Sequence, residues 1–166
     1  MPIVRKIRLT QGQVATVDAD DYGRLNQHKW YALWSKNTRS FYAARKSRGE
    51  EGARREIQMH RVVMNTPQHL QTDHINHDTL DNRRENLRNC TRAENQHNSR
   101  PHVRGVSAFK GVSWHKLRAK WQAKIMVAGR RKFLGLFPDE VEAAKAYDEA
   151  AAQHFGGFAH INLPRV

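Results

Sequence analysis

Apolar and polar positions repeat along this chain with two different periods, and the points where the period changes divide it. Ile7-Arg8-Leu9-Thr10 and Gln13-Val14-Ala15-Thr16-Val17 alternate on either side of Gln11-Gly12, the pattern of two strands joined by a turn. Asp18-Ala19-Asp20-Asp21 can open a short helix that ends near Leu25. Trp30–Trp34 and Phe41–Arg45 are aromatic and β-prone, and the polar stretch between them predicts a second hairpin, followed by a charged loop over Lys46–Arg55. These aromatics are read as core side chains, since buried aromatics dominate small cores.

The middle of the chain is more polar. Val62–Thr66 can continue a short helix, and Gln71–Ile75 reads as a strand. A long polar turn leads to a second strand at Leu87–Cys90. Thr91 followed by Glu94 has the spacing of a capping box and starts a helix. Strand, loop, strand and helix therefore follow one another.

Period two returns in the last third. Phe109–Lys116 is a strand candidate. In Lys120–Val127, Trp121, Ala123, Ile125 and Val127 face one way, with Lys120, Gln122, Lys124 and Met126 facing the other. Ala128-Gly129 turns the chain into a third strand, Arg131–Phe137. Asp139, with Glu142 three residues on, predicts a helix start after Pro138. Ala143, Ala144, Tyr147, Ala150, Ala151 and Phe155 mark one face of that helix, and Gly156-Gly157 stops it. Small alanines let the helix lie close on the apolar sheet face, leaving the other face basic and exposed.

Charge then narrows the class of partner. Lys and Arg total 29 against 16 Asp and Glu, for a net charge of +13 in 166 residues. Such an excess repels itself unless a polyanion offsets it. From Asn95 to Pro138 there is no acidic residue but there are 10 Lys or Arg, which makes the C-terminal half a candidate phosphate-facing surface. No apolar run is long enough to span a bilayer, and Met1–Lys6 lacks the apolar core of a signal peptide. A cytoplasmic protein without a membrane partner is expected. Cys90 is the only cysteine, so neither an intrachain disulfide nor a thiolate zinc cluster can form.

The middle segment carries the candidate chemistry. Hydrolysis of a phosphodiester needs a deprotonated water and a cation to neutralise charge on the phosphate. His74 suits the first task, because an ordinary imidazole is mostly neutral at a pH of about 7–8. Asp73 and the amide oxygen of Asn95 are hard donors suited to Mg²⁺, with Mn²⁺ as a substitute. Adjacent residues of a regular strand face opposite ways. Asp73 and His74 can therefore share a site only where the strand ends or bulges. A zinc site built on His74 and His77 is opposed by the lack of cysteine and by the loop spacing.

Met59-His60-Arg61, Thr72-Asp73-His74-Ile75-Asn76-His77, Asp81–Arg88 and Thr91–Asn98 together resemble the HNH endonucleases of phages and introns. The resemblance implies a ββα-metal fold with His74 as general base and Asp73 and Asn95 as metal ligands. Asn86 would be the asparagine that braces the loop and orients the histidine. His60 and Arg61 resemble the family's upstream His-Arg pair and, with His97, are possible accessory residues. Asn95 replaces the histidine of many relatives, which argues against a preference for zinc.

The last third resembles the Apetala-two/ethylene-response-factor DNA-binding domain, through Phe109–Trp114, Lys120–Ile125, Phe133–Phe137, Glu142–Ala151 and Asn162-Leu163-Pro164. That resemblance implies a three-stranded antiparallel sheet backed by one helix, with the sheet in the major groove. Lys110, Ser113, His115, Lys124, Met126, Arg131 and Phe133 would face DNA. Ser113, His115 and Met126 stand where arginines usually read guanine, so the family's base preference does not transfer.

An α+β chain is expected, with a β-rich segment over 1–58, a ββα-metal nuclease core over 59–100, a linker over 101–108 and an Apetala-two-type domain over 109–166. The function expected is a metal-dependent endonuclease of double-stranded DNA, of the site-specific homing kind, acting as a monomer in a phage-infected or bacterial cell. The alternatives are a non-catalytic DNA-binding regulator and a defence or repair nuclease of low specificity.

Overall fold

The computed structural model describes residues 3–48, 53–101 and 106–163. The chain divides into two compact units, Met1–Arg92 and Ala93–Val166. Its architecture is mixed, with small antiparallel sheets and few helices among the described residues.

In the first unit, β1 (Val4–Arg8) and β2 (Val14–Asp18) form the expected hairpin, and α1 (Ala19–Leu25) follows directly. Gln11 and Gly12 both take left-handed conformations at the turn, with φ of 58° and 68°. Next come β3 (Tyr31–Ser35), β4 (Ser40–Arg48) and β5 (Arg54–Gln58), a three-stranded antiparallel sheet. The charged loop expected over Lys46–Arg55 is thus corrected. Its two ends pair as strand, with Lys46 opposite Glu56 and Arg48 opposite Arg54; residues 49–52 lie outside the described ones. A run of exposed charges without an apolar partner face hides a strand from pattern reading, because its sheet partner supplies the order.

The helix α2 (Met59–Val63) begins straight after β5 and buries Met59, His60 and Val63. A two-stranded sheet closes the unit, β6 (Gln71–His74) against β7 (Leu87–Cys90), with the short helix α3 (Arg92–His97) after it. One hydrophobic cluster joins Ile7, Val17, Leu25, Trp30 and Ala43 to Met59, Val63 and Leu87. A boundary at 58/59 therefore does not separate two cores: the β-rich segment and the β6–β7 hairpin bury their apolar faces against each other. Neither has enough apolar side chains to fill a core by itself.

The second unit holds β8 (Val112–His115), β9 (Lys120–Val127) and β10 (Arg130–Phe137), in the order β10-β9-β8, and the long helix α4 (Glu140–Phe155). The alternation of Lys120–Val127 resolves as drawn from the sequence: Ala123 and Ile125 are buried, while Met126 on the other face is exposed. Asp139 Oδ1 accepts from the backbone N–H groups of Val141 and Glu142 and caps α4. Gly156, with φ of 53°, ends it. Ala143, Ala144, Tyr147 and Ala151 are its buried face. Gly111 admits no side chain. Its φ is 76°, and a Cβ there would lie 2.1 Å from the Tyr147 ring and 2.6 Å from the Lys124 carbonyl oxygen. The linker expected over 101–108 falls partly on residues 102–105, outside the described ones. Pro164, the last residue of the Apetala-two resemblance, is also outside them.

Candidate functional site

The β6 strand ends at His74, where a strand must end if Asp73 and His74 are to serve one site. Register still sets them apart: Asp73 pairs with Arg88 and His74 with Leu87. Both are buried, at 6% and 5% exposure, which is unusual for charged or titratable side chains unless partners hold them.

The polar turn between β6 and β7 is built as a braced loop. Asn86 is buried and spans it: its Oδ1 accepts from the Asn76 N–H at 2.9 Å and its Nδ2 donates to the Asp81 carbonyl at 2.8 Å. The Ile75 N–H donates to the Asn86 carbonyl at 2.9 Å. The loop is also tied to the first hairpin. The Thr16 N–H donates to Leu80 O, and the Asn82 N–H donates to Thr16 O. Arg84 grips both oxygens of Asp21 on α1, at 2.8 and 2.9 Å. Burial works to raise the Asp21 pKa, but Arg84 and Arg24 outweigh it and hold the carboxyl below its ordinary range. Asp81 is lowered as well, first by its hydrogen bonds from Arg83.

His74 lies in a cluster of three rings. Its centroid is 5.0 Å from that of His60 and 6.0 Å from that of Tyr42, and Tyr42 is 5.6 Å from His60. Burial lowers the His74 pKa, against the pull of the Asn82 side chain and of nearby Asp73, Asp78 and Asp81. The imidazole is therefore neutral at neutral pH and able to accept a proton. His60 is more strongly affected: burial, then His74 and Arg61, push its pKa down to about 3. Its buried Nδ1 has no hydrogen-bond partner among the described residues. Arg61 does something else, binding the carbonyls of Thr66, Pro67 and Leu70 with its guanidinium and so closing the turn before β6.

Sequence reasoning missed two members of this cluster. Asn82 reads as a turn former, yet it is 1% exposed, and its side chain works to hold up the His74 pKa. Tyr42 reads as a core aromatic of the hairpin, with no local signal of its neighbours. The Asn82 signal was present in hindsight of chemistry alone: an amide in a loop that already has Asp78 and Asp81 as turn formers is free for another task.

The fit of a metal ion turns on Asp73. Its Oδ2 receives both Nε and Nη2 of Arg88, at 2.9 and 2.7 Å. A buried carboxylate needs a positive partner, and the guanidinium provides one where a divalent cation would also be held. No group of three or more His, Cys, Asp or Glu side chains is gathered for a metal among the described residues. Asp73 and His74 belong to the first unit, whereas Asn95, half-buried on α3, belongs to the second.

Within the second unit the sheet presents Ser113, His115, Lys124, Met126, Arg131 and Phe133 on one face. Met126 pairs with Arg131 and Lys124 with Phe133. Met126 and Phe133 are 50% and 59% exposed, while the opposite face of the same strands packs on α4. Lys110 is placed differently. Its ammonium donates to the carbonyls of Gln96, His97 and Ser99 and to the Ser99 hydroxyl, at 2.7–3.1 Å. It is a cap on the C-terminal end of α3 rather than a free cation at the sheet face, and burial draws its pKa down to about 8. His97 stacks on Phe155, with centroids 3.7 Å apart. The helix that carries Asn95 is thus fastened to the C-terminal sheet module.

A family model described as HNH endonuclease matches residues 65–97. The chain is 40% identical over 83 residues to APETALA2-like protein 2 of Oryza sativa subsp. indica, covering 46% of this chain and 19% of that protein. It is 45% identical over 60 residues to Dehydration-responsive element-binding protein 2A of Arabidopsis thaliana, covering 35% and 18%. A longer alignment, 31% over 160 residues, links it to AP2-like ethylene-responsive transcription factor CRL5 of Oryza sativa subsp. japonica, covering 86% and 24%. The chain thus spans about a fifth of the length of the curated relatives it matches. No solved structure matches it. No described helix is long and apolar enough to cross a membrane.

Proposed function

We propose that this protein binds duplex DNA through the free face of its C-terminal sheet and hydrolyses a phosphodiester bond at His74, as an HNH-type endonuclease. The observation that carries the catalytic part is the buried His74 at the end of β6, packed against His60 and Tyr42, with the loop beyond it braced by Asn86. A neutral imidazole fixed in place can take the proton of an attacking water. Within the first unit Asp73 is the side chain that would hold Mg²⁺, with Mn²⁺ as a substitute. The bound ion would supply positive charge for the phosphate.

The binding part rests on the exposed Met126, Arg131 and Phe133 beside Lys124, on the excess of Lys and Arg, and on relatives named as a dehydration-responsive element-binding protein and an ethylene-responsive transcription factor. A sheet that supplies the address and a hairpin that supplies the cut make a site-specific enzyme of the homing kind.

The second reading, a DNA-binding regulator that does not cut, is favoured by two observations. The curated relatives named here are transcription factors or APETALA2-like proteins, and Arg88 already neutralises Asp73. One assay separates the two. Purified full-length protein is incubated with supercoiled and linear duplex DNA and Mg²⁺, and its His74→Ala variant is treated alike. The nuclease reading expects cutting by the parent and a loss of about 10²–10⁴-fold in the variant, with equal DNA affinity. Tight binding without any cutting by either protein establishes the regulator; equal cutting by both removes His74 from the chemistry.

A further inference from the structure

The sheet of β3, β4 and β5 has a face that begins at the ring cluster and ends in cations. Successive residues of a strand point to opposite faces, so Tyr42, Ala44, Lys46 and Arg48 of β4 share one face. Register adds Tyr31 and Leu33 of β3 and Arg54, Glu56 and Gln58 of β5 to it. At one end Tyr42 meets the rings of His60 and His74. At the other, Lys46, Arg48 and Arg54 are exposed. An open hollow of about 340 Å³ on this face is lined by Lys29, Tyr31 and Lys46.

Two details set this surface apart from a merely solvated one. Arg48 and Arg54 stand directly opposite each other across the strands, a like-charge pairing that weakens a sheet in the absence of a counter-charge. Glu56, the one carboxylate among the residues of this face, accepts a hydrogen bond from the Tyr31 hydroxyl at 2.9 Å and lies across from Lys46. Among the described residues of this face the remaining cations have no other carboxylate. Along β4 the path from Tyr42 to Arg48 covers about 20 Å, the axial length of about six base pairs.

We propose that this face, from Tyr42 through Lys46 to the Arg48–Arg54 pair with Lys29 beside them, is a second phosphate-contacting surface that holds the DNA backbone on one side of His74. The inference rests on the reading that duplex DNA reaches His74, and it assigns to the N-terminal sheet a binding role separate from the Apetala-two-like module. It also accounts for a charged strand, β5, whose exposed residues contribute little to the hydrophobic core. A competing role for the same charges is protection of an edge strand from pairing with another chain.

Salt dependence distinguishes the two roles. Each phosphate contact contributes about 0.9 to the slope of log affinity against log salt. Full-length protein and a Lys46→Gln/Arg54→Gln double variant are titrated against a mixed-sequence duplex in Ca²⁺ or EDTA, so that no cutting intervenes. Lys145→Gln on the exposed side of α4 serves as the control. The expected result is a slope shallower by about 2 and an affinity about 10-fold lower for the double variant, with no change for the control. Hydroxyl-radical footprints should lose protection on one flank only. An unchanged slope and footprint, with the parent binding normally, overturns the surface and leaves Arg54 as a guard of the edge strand β5 and Lys46 as a solvated side chain of the central strand. Failure of the parent itself to bind duplex DNA overturns the DNA reading of the whole chain, and this inference with it.

Discussion

The surroundings of His74 and the interior behind the C-terminal sheet are built from opposite materials, although the first unit also has an apolar core of its own. Around His74 the buried side chains are polar: His60, Thr72, Asp73, Asp81, Asn82 and Asn86. Each buried polar group costs free energy unless it is paired, and here Thr72, Asp73, Asp81 and Asn86 have specific partners, while the His60 Nδ1 has none among the described residues. Behind the C-terminal sheet the interior is Val112, Ala123, Ile125, Ala143, Ala144 and Ala151, with Tyr147, and shape alone suffices. On the proposed function the first interior would position side chains for chemistry. The second holds a flat face still, so that what is functional there points outward.

The difference predicts where each unit breaks. The alanine-packed unit should be most sensitive to added volume. Gly111→Ala drives a methyl group into Tyr147 and the Lys124 carbonyl at positive φ. A loss of about 4 kcal/mol or more is expected from overpacking and backbone strain together. Gly129 also has positive φ but nothing within 4 Å of an added Cβ, so Gly129→Ala should cost only about 1 kcal/mol. Chemical denaturation of the two variants checks the contrast, and equal losses would mean that volume is not what limits this unit.

The polar interior should be most sensitive to lost partners. Asn86→Ala removes two hydrogen bonds and leaves the Asn76 N–H and the Asp81 carbonyl without their partner. A loss of about 2–4 kcal/mol follows, seen as faster amide exchange between Ile75 and Asn86. Asn86→Asp should restore the bond from Asn76 but not the one to Asp81, and so fall between.

A pH-dependent effect also separates the units. The His60 pKa is about 3 in the folded chain against an ordinary value of about 6.5. Between these values the unfolded chain binds a proton that the folded one does not. Stability is therefore full above about pH 6.5 and falls as pH drops towards 3, by up to about 1.4 kcal/mol per pH unit. Asp21 and Asp81, whose pKa values are lowered, add their losses only below the ordinary carboxyl range. His60→Phe should flatten the profile between about pH 6.5 and 4. A profile that stays steep in that variant would move the effect elsewhere, His74 included.

How much of this was legible beforehand differs between the units for the same reason. β9, β10 and the Asp139 cap of α4 could be read from alternation and from one capping residue, because each is decided by local geometry and by which face is apolar. β5 could not, since Arg54-Arg55-Glu56 shows no apolar face and becomes strand only by pairing with β4. The residues of the candidate site could be singled out by type and spacing. Their company could not. Tyr42 arrives at His74 from a hairpin some thirty positions upstream by way of the sheet, and Asn82 reaches it through a loop pinned to β2.

Lys110 is the sharpest case. Its sequence position suggests a cation aimed at DNA, and the fold spends that charge on the carbonyl end of α3. A lysine on a strand approach and a lysine capping a helix are identical in one dimension, since the acceptors belong to residues more than ten positions away. Sequence alone determined the strands and helix of the C-terminal sheet, the cationic excess and the roster of residues able to do phosphodiester chemistry, because these depend on side-chain type and local period. Which of them share a pocket, which charges are spent inside and which stay free for a partner was decided by tertiary packing, because burial and hydrogen-bond distance exist only once distant segments have met.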